Sequence, residues 1–323
     1  MLDVRRLRIL QHLATYGTVA ATAEVLHLTA PAVSQQLSVL EREAGLPVVE
    51  KSGRTLRLTP AGELLVAHAE VILADLAAAE SDLRALKGGH HGLIRVAAFA
   101  SAARTLFPEV YRLIAQHADE QARTLTVQLV EQEPDPAMEA LKRRQVDVVV
   151  AHSYSVLPRN FPDNCQQDVL MEDPVLLCLP VDHAQRLELE PGQSVDLTRL
   201  SGEAWLTPGP ETSCYQMIQR TCGVAGFVPE VRVRSSDFSV LLSLVAAGAG
   251  IALVPRLAIT EQQGVSVHPL VVPVTRTVFT VIRTGTARRP DVHVLSALLK
   301  QAAATDHVIA SIVRRGRERR PRS

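Results

Sequence analysis

The chain has 323 residues, 47% of them hydrophobic, which is enough apolar material for roughly two to three domains with sizeable cores. Its 34 Lys and Arg balance 34 Asp and Glu, so a uniformly basic nucleic-acid coat is excluded while a local basic module is not. The four cysteines form no CxxC pair, no apolar run is long enough to cross a bilayer, and the N-terminus is no signal peptide; the expectation is a soluble cytoplasmic protein without a membrane partner.

Val4, Leu7, Leu10 and Leu13 recur at helical spacing and predict a first amphipathic helix. Arg5, Arg6 and Arg8 lie among them, as solvated surface or as phosphate contacts. Thr18 can cap a second, short helix in which Ala20, Ala21 and Ala23 allow close helix approach. Thr29 can cap a third, and Pro31 falls in its first turn, where a missing N–H costs nothing. Val33, Leu37, Leu40 and Ala44 form its apolar stripe. At about 100° per residue the opposite face carries Pro31, Gln35, Ser38 and Arg42, with Ser34 on its flank. A small, polar, unbulky face of this kind can enter the major groove; an ordinary surface helix would share it, and the neighbouring elements decide.

Val48 to Lys51, then Ser52-Gly53, then Arg54 to Leu58 reads as a hairpin with a two-residue turn, so the three helices acquire a wing. Lys51, Arg54 and Arg57 suit phosphate or minor-groove contact, against the alternative of a solvated hairpin tip. Thr59-Pro60 starts a long helix whose Leu65, Ala69, Ile72, Leu76, Ala79, Leu83 and Leu86 keep heptad spacing. That seam predicts pairing with a second copy, and hence a DNA site that is an interrupted inverted repeat. Lys87 to Gly92 ends the helix as a hinge; its His90-His91 pair lacks the further ligands a metal needs, and no cofactor is expected.

These residues resemble a known family. Leu7, the run AATAEVLHLTAPAVSQQLSVLEREAGLPV, Arg54 and the LTPAG of Leu58 to Gly62 are similar to the N-terminus of LysR-type transcriptional regulators. Ala20, Ala21, Leu26, Ser34, Leu40, Glu41, Gly45, Thr59 and Gly62 sit where that family places its signature residues. The chain departs from it at Val48-Val49-Glu50-Lys51, where the family usually has Leu-Phe-x-Arg; lysine keeps the charge but loses the bidentate fork.

From Gly92 onward strands and helices alternate: Ile94–Ala97, Leu125–Val130, Val146–Val150, Val175–Leu179, Ala204–Leu206, Val231–Val233 and Ile251–Val254 as strands, with helices between them. This is an α/β pattern with mostly parallel sheets, long enough for two lobes. The resemblance implies a type 2 periplasmic-binding-protein fold with a ligand cleft between the lobes, which we expect to cross over near Asn160–Cys165 and Gly264–His268. The expected organisation is multi-domain: a winged helix-turn-helix over 1–59, a linker and dimerisation helix over 60–89, lobe I over 90–163 and 266–303, lobe II over 164–265, and a basic tail over 304–323.

Ligands in such sheets sit at strand C-terminal ends, against helix N-termini. Candidate effector residues are therefore Ala100 and Ser101, His152 and Ser153, Thr207, Pro208, Gly209, Thr212 and Ser213, and Ser236 and Asp237, with a carboxylate or other small anion as ligand. Each serine taken alone could merely cap a helix. No arginine is obviously positioned to grip a carboxylate; Arg104 is a candidate but lies a turn inside its helix. Cys214 and Cys222 lie where the resemblance places the reactive pair of peroxide-sensing members, but on an intact helix they would stand about 12 Å apart, too far for a disulfide without local unfolding, and buried inert thiols are the competing reading.

The reading is a homodimeric or homotetrameric DNA-binding regulator and not an enzyme. Thr29, Pro31, Ser34 and Gln35 are expected to meet bases; Ser38, Arg42, Lys51, Arg54 and Arg57 to hold backbone. Partners are double-stranded DNA, a small effector, a second copy and, as a further candidate, RNA polymerase. Redox sensing, a solute-binding protein and an enzyme on the α/β lobes are the rivals. No GxSxG, P-loop or metal-ligand cluster supports the enzyme.

Overall fold

A computed structural model describes residues 1–52, 55–86 and 93–306. The expected hinge at Lys87–Gly92, Arg54 at the wing tip and the tail from 307 onward lie outside the described residues, whereas 304–306, expected as tail, end the last helix.

The N-terminal unit comprises α1 (Val4–Tyr16), α2 (Val19–Val25) and α3 (Ala30–Ala44), the hairpin β1 (Val49–Ser52) and β2 (Thr55–Leu58), and the long α4 (Pro60–Leu86). Its helix ends follow from local chemistry. Asp3, Thr18 and Thr29 accept backbone N–H groups at the starts of α1, α2 and α3, and Gly17 and Gly45 close α1 and α3 in the left-handed conformation that costs glycine nothing. Thr59 caps α4 by accepting from the Gly62 amide at 3.1 Å and donates to the Pro47 carbonyl at 2.7 Å. Leu7, Leu10, Leu13, Val33, Leu37, Leu40 and Val48 bury one shared core. The hairpin pairs Ser52 with Thr55, so its two-residue connection is 53–54, one position later than the sequence predicts.

The C-terminal unit holds β3 (Leu93–Ala98), α5 (Ala100–Ala115), α6 (Glu120–Arg123), β4 (Thr126–Glu131), α7 (Pro134–Lys142), β5 (Val148–Tyr154), β6 (Cys165–Pro180), α8 (Val181–Arg186), β7 (Ala204–Thr207), α9 (Ser213–Val224), β8 (Glu230–Arg234), α10 (Phe238–Ala246), β9 (Ala252–Pro255), β10 (Val265–His268), β11 (Thr275–Arg283) and α11 (Pro290–Asp306). The main sheet runs β10-β6-β11-β5-β3-β4, with β9 also on β6. The parallel pairs are β3 with β4 and β5, and β7 with β8; β6, β9, β10 and β11 pair antiparallel, so the expectation of mostly parallel sheets holds only at the far edge of lobe I and in β7–β8. An antiparallel centre appears because β6 and β11 carry the chain between the lobes without a crossover helix.

β6 is one 16-residue strand shared by both lobes. Cys165 to Pro174 pair with β11, whereas Val175 to Pro180 pair with β9 and β10. The strands thus change partner at Pro174/Val175, about ten residues beyond the first crossing expected from sequence, and again between His268 and Thr275, just past the second. Lobe I packs α5 and α11 on one face of its sheet and α7 on the other; lobe II packs α9 around Trp205 and α10 around Leu206 and Cys178.

The N-terminal unit rests on lobe I of its own chain. Arg288 Nη1 meets the Asp75 carboxylate of α4 at 2.8 Å, Asn164 Nδ2 reaches Glu70 at 3.3 Å, and the Tyr16 hydroxyl donates to the Arg143 carbonyl at 3.4 Å. Between them lies a cavity of about 400 Å³ lined by Gln11, Glu70, Asn164, Cys165 and Arg283 among others.

Candidate DNA interface and effector cleft

On α3, Val33, Leu37 and Leu40 are buried, and Pro31, Ser34, Gln35, Ser38 and Arg42 are exposed together on the opposite face. Thr29 caps the helix at its exposed start, and Ser38 Oγ returns to the Ser34 carbonyl at 3.1 Å. Arg57 is exposed on β2; Lys51 lies in β1, and Arg54 is outside the described residues. Two side chains fix how this face is presented. Glu41 Oε1 accepts the Val48 and Val49 amides at 3.0 and 3.3 Å, tying the wing to α3. Arg6 meets Glu43 at 2.6 Å and Gln36 at 3.0 Å, tying α1 to α3. Arg6 therefore joins two helices, neither of the two roles the sequence left open for it.

A second site opens where the lobes meet. It is a cavity of about 490 Å³ at the C-terminal ends of β3 and β4, closed from lobe II by the starts of α9 and α10. Ala100, Ser101, His152, Pro208, Thr212, Ser236 and Asp237 of the sequence-derived set line it. Ser153 and Ser213 line a neighbouring recess of about 160 Å³, shared with His152 and Tyr154. Thr207 and Gly209 line neither; Thr207 is fully buried, and the Gly209 carbonyl accepts from Thr212 in the turn before α9. His152 and Ser153 are in β5 rather than beyond it, because that strand runs on to Tyr154. Ser101 does not cap α5: the helix starts at Ala100 with no side-chain cap, and the serine hydroxyl turns to an arginine.

That arginine, Arg276 on β11, was not anticipated. It is almost wholly buried, donating from Nε to Asp173 at 2.9 Å and from Nη2 to Asp173 at 2.6 Å and Ser101 Oγ at 3.0 Å. Its guanidinium also lies 4.7 Å from the centre of the Phe99 ring. Burial opposes its charge most strongly, but the Asp173 carboxylate together with Tyr154 and Cys214 raises its pKa on balance. Asp173 is itself held by the Leu257 amide at 3.0 Å. Arg104, the arginine considered from sequence, lines the same cavity and donates to the Leu257 carbonyl at 2.9 Å.

His152 is held by Ser213 Oγ at 3.0 Å and packs edge-on against Phe99 and Tyr154. Burial, then Arg276 and Arg159, push its pKa well below the usual value, so the imidazole is neutral. Glu131, Gln132 and Glu133 complete the floor at the end of β4. The strand-end rule that singled out the exits of β3 and β5 would have found them had it been applied to β4 too.

Cys214 and Cys222 are both on α9 and both buried, and burial pushes each thiol up to about 12. Such thiols are unreactive at neutral pH. Among the described residues no cluster could hold a metal ion, and no helix is long and apolar enough to cross a membrane.

A winged helix-turn-helix on a long helix, joined to a two-lobed α/β domain with a cleft, is the architecture of a DNA-binding regulator with an effector-binding domain. Residues 4–63 match the family model of the bacterial regulatory helix-turn-helix protein, lysR family, and residues 87–304 match that of the LysR substrate binding domain. The chain belongs to the LysR family of transcriptional regulators and is not an enzyme. It is 28% identical over 308 residues to the transcriptional regulator CbbR of Rhodospirillum rubrum, covering 94% of this chain and 97% of that one. A full-length OxyR variant from Pseudomonas aeruginosa shares the fold with a TM-score of 0.59 at 22% identity, over 93% of this chain and 95% of that one. Full-length CbnR complexed with its target DNA shares it with a TM-score of 0.52 at 22% identity, over 93% of this chain and all (100%) of CbnR.

Proposed function

We propose that two copies of this chain, or four, read an interrupted inverted repeat in duplex DNA, and that a small molecule in the interlobe cleft alters that binding. The single observation that carries the DNA reading is the exposed face of α3, small and polar opposite its buried stripe. Thr29, Pro31, Ser34 and Gln35 lie at the start of the helix, the end that meets base edges in this motif. Ser38, Arg42, Lys51, Arg54 and Arg57 hold phosphates. The copies pair along α4, whose Ile72, Leu76 and Leu83 are exposed. A regulator of this kind works where the DNA is, in the cytoplasm.

The buried arginine, the neutral histidine and the converging helix starts support the cleft as the effector site. An effector that prefers one arrangement of the lobes shifts the dimer or tetramer toward the corresponding arrangement of its DNA-reading units. Selection of bound duplexes from random sequence, followed by gel shifts with Gln35→Ala, tests the first half. Sequence preference is expected to fall by about tenfold or more, as for loss of one base contact, with binding to random DNA nearly unchanged. Equal weakening on every duplex would remove the base-reading role.

A further inference from the structure

We infer that the effector is a zwitterion, an α-amino acid with a neutral or basic side chain, rather than a simple anion. This rests on the cleft being the effector site. The cleft is bipolar. One wall suits a carboxylate: α5 has 16 residues, its first turn lacks a side-chain cap, and Ala100, Ser101 and Arg276 line the cavity beside it. The remaining rim is acidic. Glu131, Glu133, Glu211 and Asp237 face the same space as only two arginines.

Those arginines are already engaged, Arg276 with Asp173 and Ser101, and Arg104 with the Leu257 carbonyl. A dicarboxylate would bring a second negative charge against Glu131 and Glu133, whereas an ammonium group would relieve them. Glu133, exposed at the rim, has a raised pKa: partial desolvation raises it first, Arg276 opposes the shift, and Glu131 and Asp135 add to it.

Independent of charge, the cavity holds a buried polar atom without a partner. His152 lines it and is 2% exposed, and its Nδ1 has no hydrogen-bond partner among the described residues, while the Tyr154 hydroxyl beside it has only Cys214 and Arg276 within reach. Buried polar atoms are seldom left so, and a ligand with both donors and acceptors would satisfy the imidazole. About 490 Å³ accommodates an amino acid of any size.

The test is thermal unfolding and calorimetric titration of the full-length protein with leucine, lysine and glutamate. 4-Methylpentanoate and 3-methylbutylamine, which are leucine without its amino and carboxyl groups, serve as controls, with adipate as the dicarboxylate. Leucine or lysine is expected to raise Tm and bind at least about tenfold more tightly than glutamate, adipate or either control. Glu133→Gln should weaken that binding about tenfold while leaving the fold by circular dichroism unchanged. Binding of adipate or glutamate in preference to leucine and lysine overturns the zwitterion and leaves the cleft as the effector site. So does failure of every amino acid to bind while adipate or 4-methylpentanoate binds. Amino-acid binding that Glu131→Gln and Glu133→Gln both leave unchanged places the ligand elsewhere, and the cleft reading itself then falls. No binding by any probe overturns the amino-acid assignment.

Discussion

Gly62 shows how much one missing side chain can decide. A Cβ built on it would lie 2.1 Å from the Val48 carbonyl oxygen, so only glycine lets α4 lie this close to the start of the wing. Gly62→Ala is expected to destabilise the N-terminal unit by about 1–3 kcal/mol, read by urea unfolding, because backbone and not a flexible side chain must move. Arg276→Met should cost about 3–5 kcal/mol in the same assay by leaving Asp173 buried without its guanidinium, and Asp173→Asn in the same chain should recover part of the loss. His152 supplies a pH signature. Its folded pKa lies well below the ordinary value of 6.5, so the unfolded chain takes up its proton first. Stability from this group is full above about pH 6.5 and falls with acid by up to about 1.4 kcal/mol per pH unit. His152→Gln should flatten the unfolding free energy between pH 6.5 and 5, and an unchanged slope would refute the assignment. Arg276 marks where sequence reading stops: it sits in an ordinary alternating strand, and its partners Asp173 and Ser101 are 103 and 175 residues away. Thr18, Thr29 and Asp237 were readable because each caps a helix only two or three residues on.

Elements whose causes are local were legible for the same reason. The stripe and caps of α3 specify it without help from the rest of the chain. β11 and the full length of β6 were not, since short apolar runs do not say which strand they join, and the lobe boundaries moved with them. α4 falls between these cases. Its heptad positions divide in the structure: Ala69 is buried in its own unit's core, while Ile72, Leu76 and Leu83 are 40%, 41% and 59% exposed. An apolar row that its own chain leaves uncovered is the part available to a second copy. Leu76→Glu is expected to convert the dimer to a folded monomer in sedimentation velocity, with secondary structure retained and operator affinity lowered by at least about tenfold through loss of bivalent binding. A variant that still sediments as a dimer would move the interface off this helix.

At the level of the whole molecule, the contact between the DNA-reading unit and lobe I is made by few and mostly exposed groups. Arg288 and Asp75 are each about half exposed, 55% and 52%, so their pair adds little to stability. Arg288→Glu is therefore expected to change the unfolding free energy by less than about 1 kcal/mol. It should instead speed hydrogen exchange in α1 and α4 where they face lobe I, and exchange no faster than in the parent chain would show that the contact does not hold the unit in place.

β6 joins these regions by covalent structure alone. Asp173, which anchors the arginine beside the cavity, and Cys165, next to the asparagine that touches Glu70, are on the same strand, roughly 26 Å apart with a β-bulge at Leu170 between them. The grip on the effector and the seat of the DNA reader are thus mounted on one shaft. On the proposed reading, a slight roll at the upper bearing would reach the lower one as torque across the Leu170 bulge.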